Sequence, residues 1–66
     1  MQIMINGAPR PLGADETLAT VLDEFGVPHR GVAVAVDGAV VPRASWAETE
    51  LRDGSAVEVL TAVQGG

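Results

Sequence analysis

A chain of 66 residues is one small domain, and a domain of that size buries only about 60% of the surface its unfolded form exposes, which leaves little room for an enclosed catalytic cavity. Its 47% hydrophobic content supplies a single core, while zero cysteines and one histidine exclude a disulfide framework, a thiolate nucleophile and a zinc–cysteine or multi-histidine metal site. Nine Asp and Glu against four Arg and no Lys give a net charge of −5, which argues against nucleic-acid binding and suits docking into a basic groove on a partner.

Met1 to Asn6 alternates, with Met1, Ile3 and Ile5 on one face, and reads as a half-buried strand. Asn6-Gly7 is a two-residue hairpin turn signal. The return segment Ala8 to Leu12 carries Pro9 and Pro11, which places it at a sheet edge. Thr17 is a candidate helix N-cap, with Asp15 competing for the role. Asp15 and Glu16 stand where the positive end of a helix dipole would favour them. Leu18, Val21, Leu22 and Phe25 make one apolar stripe at i, i+3, i+4 and i+7. Gly26 is the expected stop, with Pro28 beyond it.

Val32 to Val36 is a strand with valines on one face and alanines on the other. Asp37-Gly38 turns it into a short strand, Ala39 to Val41, which Pro42 ends. Arg43 to Leu51 is an irregular or single-turn crossover, Asp53-Gly54 is a further turn, and Ala56 to Val63 is the last strand. The expected core is Ile3, Ile5, Leu18, Val21, Leu22, Phe25, Val34, Val36, Val57 and Val59.

An open sheet with one apolar face can bury it under a single amphipathic helix. The element order therefore predicts an α+β fold of the β-grasp (ubiquitin-like) type, a mixed sheet of four or five strands packed on one helix. The domain spans 1–62, with the last strand central and parallel to the first. Residues 63–66 form a tail that ends in Gly65-Gly66 and is expected to be mobile. Without Cβ atoms such a stem can pass down a narrow channel, which suits chemistry on a terminal carboxylate inside a partner's active site. Ordering Val63 to Gly66 there costs about 4–8 kcal/mol, so contacts from the folded body must offset it. No apolar run approaches the length of about 20 residues needed for a membrane span. Residues 1–15 lack a signal-peptide pattern, and a cytoplasmic location is expected.

Across its whole length the chain resembles the ThiS family of sulfur carriers in thiamine-thiazole biosynthesis. The resemblance rests on Ile3-Met4-Ile5-Asn6-Gly7, Val34-Ala35-Val36-Asp37-Gly38, Val40-Val41-Pro42-Arg43, Trp46-Ala47, Leu51, Asp53-Gly54 and Gly65-Gly66. Asp37 stands where Asn is frequent in that family, and Gln64 where a small residue is frequent.

The resemblance implies a carrier that is not itself an enzyme. An E1-like adenylyltransferase (ThiF type) would adenylate the Gly66 carboxylate. Sulfur from a persulfide donor system would replace AMP to leave a thiocarboxylate, and a thiazole synthase (ThiG type) would take that sulfur. Gly65, Gln64 and Val63 would enter the partner's active site. The carrier would hold no cofactor, and ATP and magnesium would belong to the adenylating partner. The alternatives are a MoaD-like subunit for molybdopterin synthesis, a covalent protein modifier, and a non-covalent β-grasp interaction module. Shortness and Val41-Pro42-Arg43 with Trp46 favour the thiamine branch.

Leu60 and Arg43 are candidate docking residues. Leu60 and Val63 could divide between core and partner, and Arg43 could equally be a solvated or locally paired side chain. Trp46 fits a plug sealing the crossover onto the core better than an exposed anchor. His29-Arg30 reads as a solvated loop, and Asp23-Glu24 and Glu48–Glu50 as solvated faces.

Overall fold

The structure, a computed structural model, describes residues 1–28 and 30–61. A five-stranded mixed sheet packs against one α-helix in the order β2-β1-β5-β3-β4. Strand β1 (Gln2–Ile5) and β2 (Ala8–Pro11) form the first hairpin. Strand β3 (Val32–Val36) and β4 (Ala39–Val40) form the second. Strand β5 (Ala56–Thr61) lies between them, parallel to β1 and antiparallel to β3. This is the β-grasp arrangement expected from the element order.

Helix α1 (Leu18–Glu24) starts at Thr17, whose side chain accepts from the Thr20 amide while the Thr20 hydroxyl accepts from the Thr17 amide. This reciprocal cap satisfies two of the donors that a helix start leaves open. Asp15 is therefore not the cap, and the helix has no acidic residue in its first turn. Glu16 instead folds back and accepts from the Gly13 amide at 2.7 Å. Gly26, at φ +76°, ends the helix. The Val27 amide donates to the Leu22 carbonyl and the Gly26 amide to that of Asp23, the paired bonds of a left-handed glycine stop.

The core gathers Ile3, Ile5, Leu12, Leu18, Val21, Leu22, Val34, Trp46, Leu51 and Val57. Val36 and Val59 are half-buried and pack against it. Met1, read on the same strand face as Ile3 and Ile5, precedes β1 and is exposed. One expected core member, Phe25, is not there. Phe25 is 39% exposed because the seven-residue helix ends before the stripe's fourth position, leaving the ring at the cap. The Arg10 guanidinium covers one of its faces at 4.4 Å, a cation–π contact. Leu12 and Leu51, in connectors, join the core instead.

The crossover contains a 3₁₀ helix, η1 (Arg43–Glu48), which packs against α1. Trp46 is the expected plug: it is buried, and its indole N–H donates to the Val41 carbonyl at 2.9 Å. The same crossover fixes the helix start, since the Leu18 amide donates to the Thr49 carbonyl at 2.8 Å. The expected tail, 63–66, and His29 lie outside the described residues, as does the last part of the predicted strand beyond Thr61.

Candidate functional site

The central strand is held more closely at its flanks than the ladders alone require. At its start, the Gln2 amide donates to Asp53 Oδ1 and the Gly54 amide to the Gln2 carbonyl, both at 2.7 Å. The buried Ser55 hydroxyl accepts from the Arg52 amide. These bonds tie the 52–55 turn to the beginning of β1.

Two turn residues then reach across to the backbone of β5. Asn6 and Asp37 both take left-handed φ, +50° and +52°, each followed by a positive-φ glycine. That geometry matches the twist of a tight hairpin and is one Asn and Asp tolerate better than most residues. From this position Asn6 Nδ2 donates to the Val59 carbonyl at 3.3 Å and its Oδ1 accepts from the Val59 amide at 2.8 Å. The side chain thus carries the parallel ladder on past the end of β1. Asp37 Oδ1 accepts from the Ala56 amide at 2.9 Å, while the Asp37 amide donates to the Ala56 carbonyl. An amide side chain is needed where both a donor and an acceptor face the strand; a carboxylate suffices where only an acceptor is used. Sequence reasoning treated Asn6-Gly7 as a generic turn and missed this clamp. The signal available was the difference between Asn at one hairpin and Asp at the other.

Leu60 points to the open face of the sheet, opposite Ala33, and is 70% exposed. Val40 stands opposite Ala35 on the same face and is 76% exposed. Leu60 and Val40 thus flank a shallow floor of Ala33 and Ala35, with the exposed Glu58 paired to Ala35. Arg43 reaches the same end of the sheet by another route. The Val41 amide donates to the Val34 carbonyl, so Pro42 and Arg43 follow at about the level where β3 begins. Arg43 is exposed and opens η1, in the layer that holds α1. The two candidate docking residues therefore share an end of the molecule but not a face. Gly66, Gly65, Gln64 and Val63 lie outside the described residues.

Among the described residues no group of three or more His, Asp or Glu side chains could hold a metal ion. Two depressions, of about 110 and 190 Å³, are lined by Ala14, Asp15, Glu16, Glu50 and Leu51 and by Ile5, Arg10, Pro11, Val21, Glu24 and Phe25. Both are smaller than the roughly 300–1,000 Å³ of a small-molecule site. Beside the second, Glu24 is pushed up from the ordinary carboxylate range by its hydrogen-bonded contact with Glu16 and by that residue's like charge. What the arrangement does well is hold one strand in the middle of a sheet and present its exit beside an apolar patch.

The sequence model of the ThiS family matches residues 3–66. The chain belongs to the ThiS family. Similar proteins include the sulfur carrier protein ThiS of Thermus thermophilus, 42% identical over 64 residues that make up 97% of this chain and 98% of that one. The crystal structure of the thiamine biosynthesis protein ThiS from Geobacter metallireducens superposes over all of both chains with a TM-score of 0.82 at 32% identity. A protein of Paramagnetospirillum magneticum named thiazole synthase is 36% identical over 66 residues, all of this chain but 20% of that protein. This chain spans about one-fifth of that relative's length. No helix among the described residues is long and apolar enough to cross a membrane.

Proposed function

We infer that this ThiS-family chain is a sulfur carrier for thiamine thiazole synthesis, a protein co-substrate that works with partner enzymes. The observation that carries the reading is the full-length match to a named sulfur carrier, joined to a fold whose central strand runs toward Gly65-Gly66.

The chemistry we assign belongs to Gly66. A carboxylate is a poor electrophile because its charge is delocalised. On an adenylating partner of the ThiF type, one Gly66 oxygen attacks the α-phosphorus of ATP and pyrophosphate leaves. The terminal sulfur of a cysteine persulfide then attacks the carbonyl carbon, and AMP departs with the bonding electrons. A second thiol cleaves the resulting S–S bond, forming a disulfide with the cysteine and releasing the carrier as its thiocarboxylate. A thiazole synthase of the ThiG type accepts that sulfur. ATP and magnesium belong to the adenylating partner, and the carrier holds no cofactor.

Val63, Gln64 and Gly65 serve as the stem that enters each active site. Leu60, with Val40 and the alanine floor between them, supplies the apolar docking contact, and Arg43 a polar one at the rim. A carrier that visits at least two enzymes needs binding that is specific and reversible, and a small patch offsetting the cost of ordering a short stem provides it. The test is deletion of Gly66. The shortened chain should keep its thermal stability and fail to restore thiamine synthesis in a carrier-deficient cell. Restoration by a folded, shortened chain would overturn the reading.

A further inference from the structure

A strand that outruns one of its neighbours is held on one side only. We propose that Asn6 is a positioning residue for docking: its side chain holds the Val59–Leu60 peptide on the side where β1 has ended, and so aims Leu60 at the partner. The proposal rests on the docking role assigned above to Leu60.

Strand β5 keeps β3 beside it from Val57, opposite Val36, to Thr61, opposite Val32. Its other neighbour stops early. β1 pairs with it at Ala56 and Val57, and the Asm-free backbone of the ladder closes with the Asn6 amide donating to the Val57 carbonyl at 2.9 Å. There the chain turns away through Asn6 and Gly7, both at left-handed φ. Past that point the Asn6 side chain takes over. It accepts from the Val59 amide at 2.8 Å and donates to the Val59 carbonyl at 3.3 Å.

The second of these bonds acts on Leu60. The Val59 carbonyl and the Leu60 amide belong to one planar, trans peptide. With the carbonyl held by Asn6 Nδ2, the N–H of that plane faces the other way, toward β3, where Leu60 lies opposite Ala33. From this plane the Leu60 side chain projects onto the open face, 70% exposed. Backbone fixed before binding removes an ordering cost that docking would otherwise carry.

Asp37 supplies a contrast on the same strand. It has a left-handed φ and a following glycine like Asn6, but its carboxylate accepts from the Ala56 amide. Ala56 precedes Leu60 by four positions, about 13 Å along the strand at about 3.3 Å per residue. One turn residue thus holds the start of β5, and the other holds the end that carries Leu60.

The test is ATP–pyrophosphate exchange by a ThiF-type adenylating enzyme, followed against carrier concentration, with every variant kept below its unfolding transition. Glycine accepts left-handed φ at either turn, so Asn6→Gly and Asp37→Gly each remove a side chain bonded to β5 without backbone strain. A purely structural role would make the two alike. Leu60→Ala should raise the half-saturating carrier concentration about tenfold. Asn6→Gly should raise it by about threefold to tenfold with the maximal rate held, and Asp37→Gly by no more than about twofold. Adding Asn6→Gly to Leu60→Ala should cost no more than about a further twofold, because the group that Asn6 aims is already gone. Asn6→Asp, which cannot donate to the Val59 carbonyl, should also raise the concentration and carries the same comparison if the glycine variant does not fold. Equal effects at positions 6 and 37, multiplied effects in the double variant, or a loss confined to the maximal rate would overturn the proposal. Wild-type saturation by Leu60→Ala would remove the docking contact and the proposal with it, leaving the chemistry of Gly66 untouched. Wild type that supports no exchange would overturn the carrier reading and the proposal together.

Discussion

The two faces of the sheet use similar aliphatic residues for opposite purposes. On one face Ile3, Ile5, Val34 and Val57 are sealed under α1 and the crossover, with Leu22 wholly buried between layers. On the other, Val40 and Leu60 stand exposed around Ala33 and Ala35. Strand β5 contributes to both, through Val57 to one and Leu60 to the other. Buried apolar surface stabilises the fold at about 25 cal/mol per Å², while the exposed apolar surface of Leu60 and Val40 is the patch proposed above for docking. The difference teaches that in so small a domain the alternation of one central strand divides residues that hold the core from residues left open to solvent.

Substitutions on the two faces should therefore separate cleanly. Leu22→Ala removes a fully buried side chain and should cost about 2–5 kcal/mol in urea unfolding. A loss of a few tenths would mean the helix does not cover this face. Asn6→Asp tests the pin on the strand that both faces share. It keeps the acceptor for the Val59 amide but sets a carboxylate against the Val59 carbonyl. The expected cost is about 1–2 kcal/mol, with faster hydrogen exchange at the Val59 amide. Asp37→Asn, where only an acceptor is used, should stay within about 0.5 kcal/mol of wild type. Equal costs at the two turns would contradict the donor–acceptor reading. Leu60→Asp should leave stability within about 0.5 kcal/mol while weakening binding to the adenylating partner by about tenfold or more, measured by titration calorimetry. Undiminished binding would remove Leu60 from the docking surface.

Much of this was legible in the residues. Strand alternation, the apolar helix stripe and the two Xaa-Gly turns led to the strand order and to a parallel, central β5. Periodicity located the stripe but not the helix's length, so Phe25 was placed in the core when it caps the helix and meets Arg10. Leu12 and Leu51 lie in connectors where no period operates, and only packing shows that they are buried. The Asn6 clamp was hidden because turn propensity already accounts for an asparagine before glycine; its second role depends on a partner 53 positions away. On the site side, the sequence named Leu60 as a candidate docking residue but left it open between core and partner, and only its register opposite Ala33 puts it on the open face. The alanine floor and Val40 could not be read from the sequence, because a face becomes a patch only after strand register places its residues side by side.

Intact mass of the chain after incubation with a ThiF-type adenylating enzyme, ATP and a sulfur donor addresses the carrier reading most directly. Wild type should gain the mass of one sulfur in exchange for one oxygen, with the change located at Gly66 by fragmentation, and the chain lacking Gly66 should stay unchanged. An unmodified wild-type terminus in the presence of an enzyme proven active on another ThiS-family carrier, or sulfur found anywhere but Gly66, would contradict it.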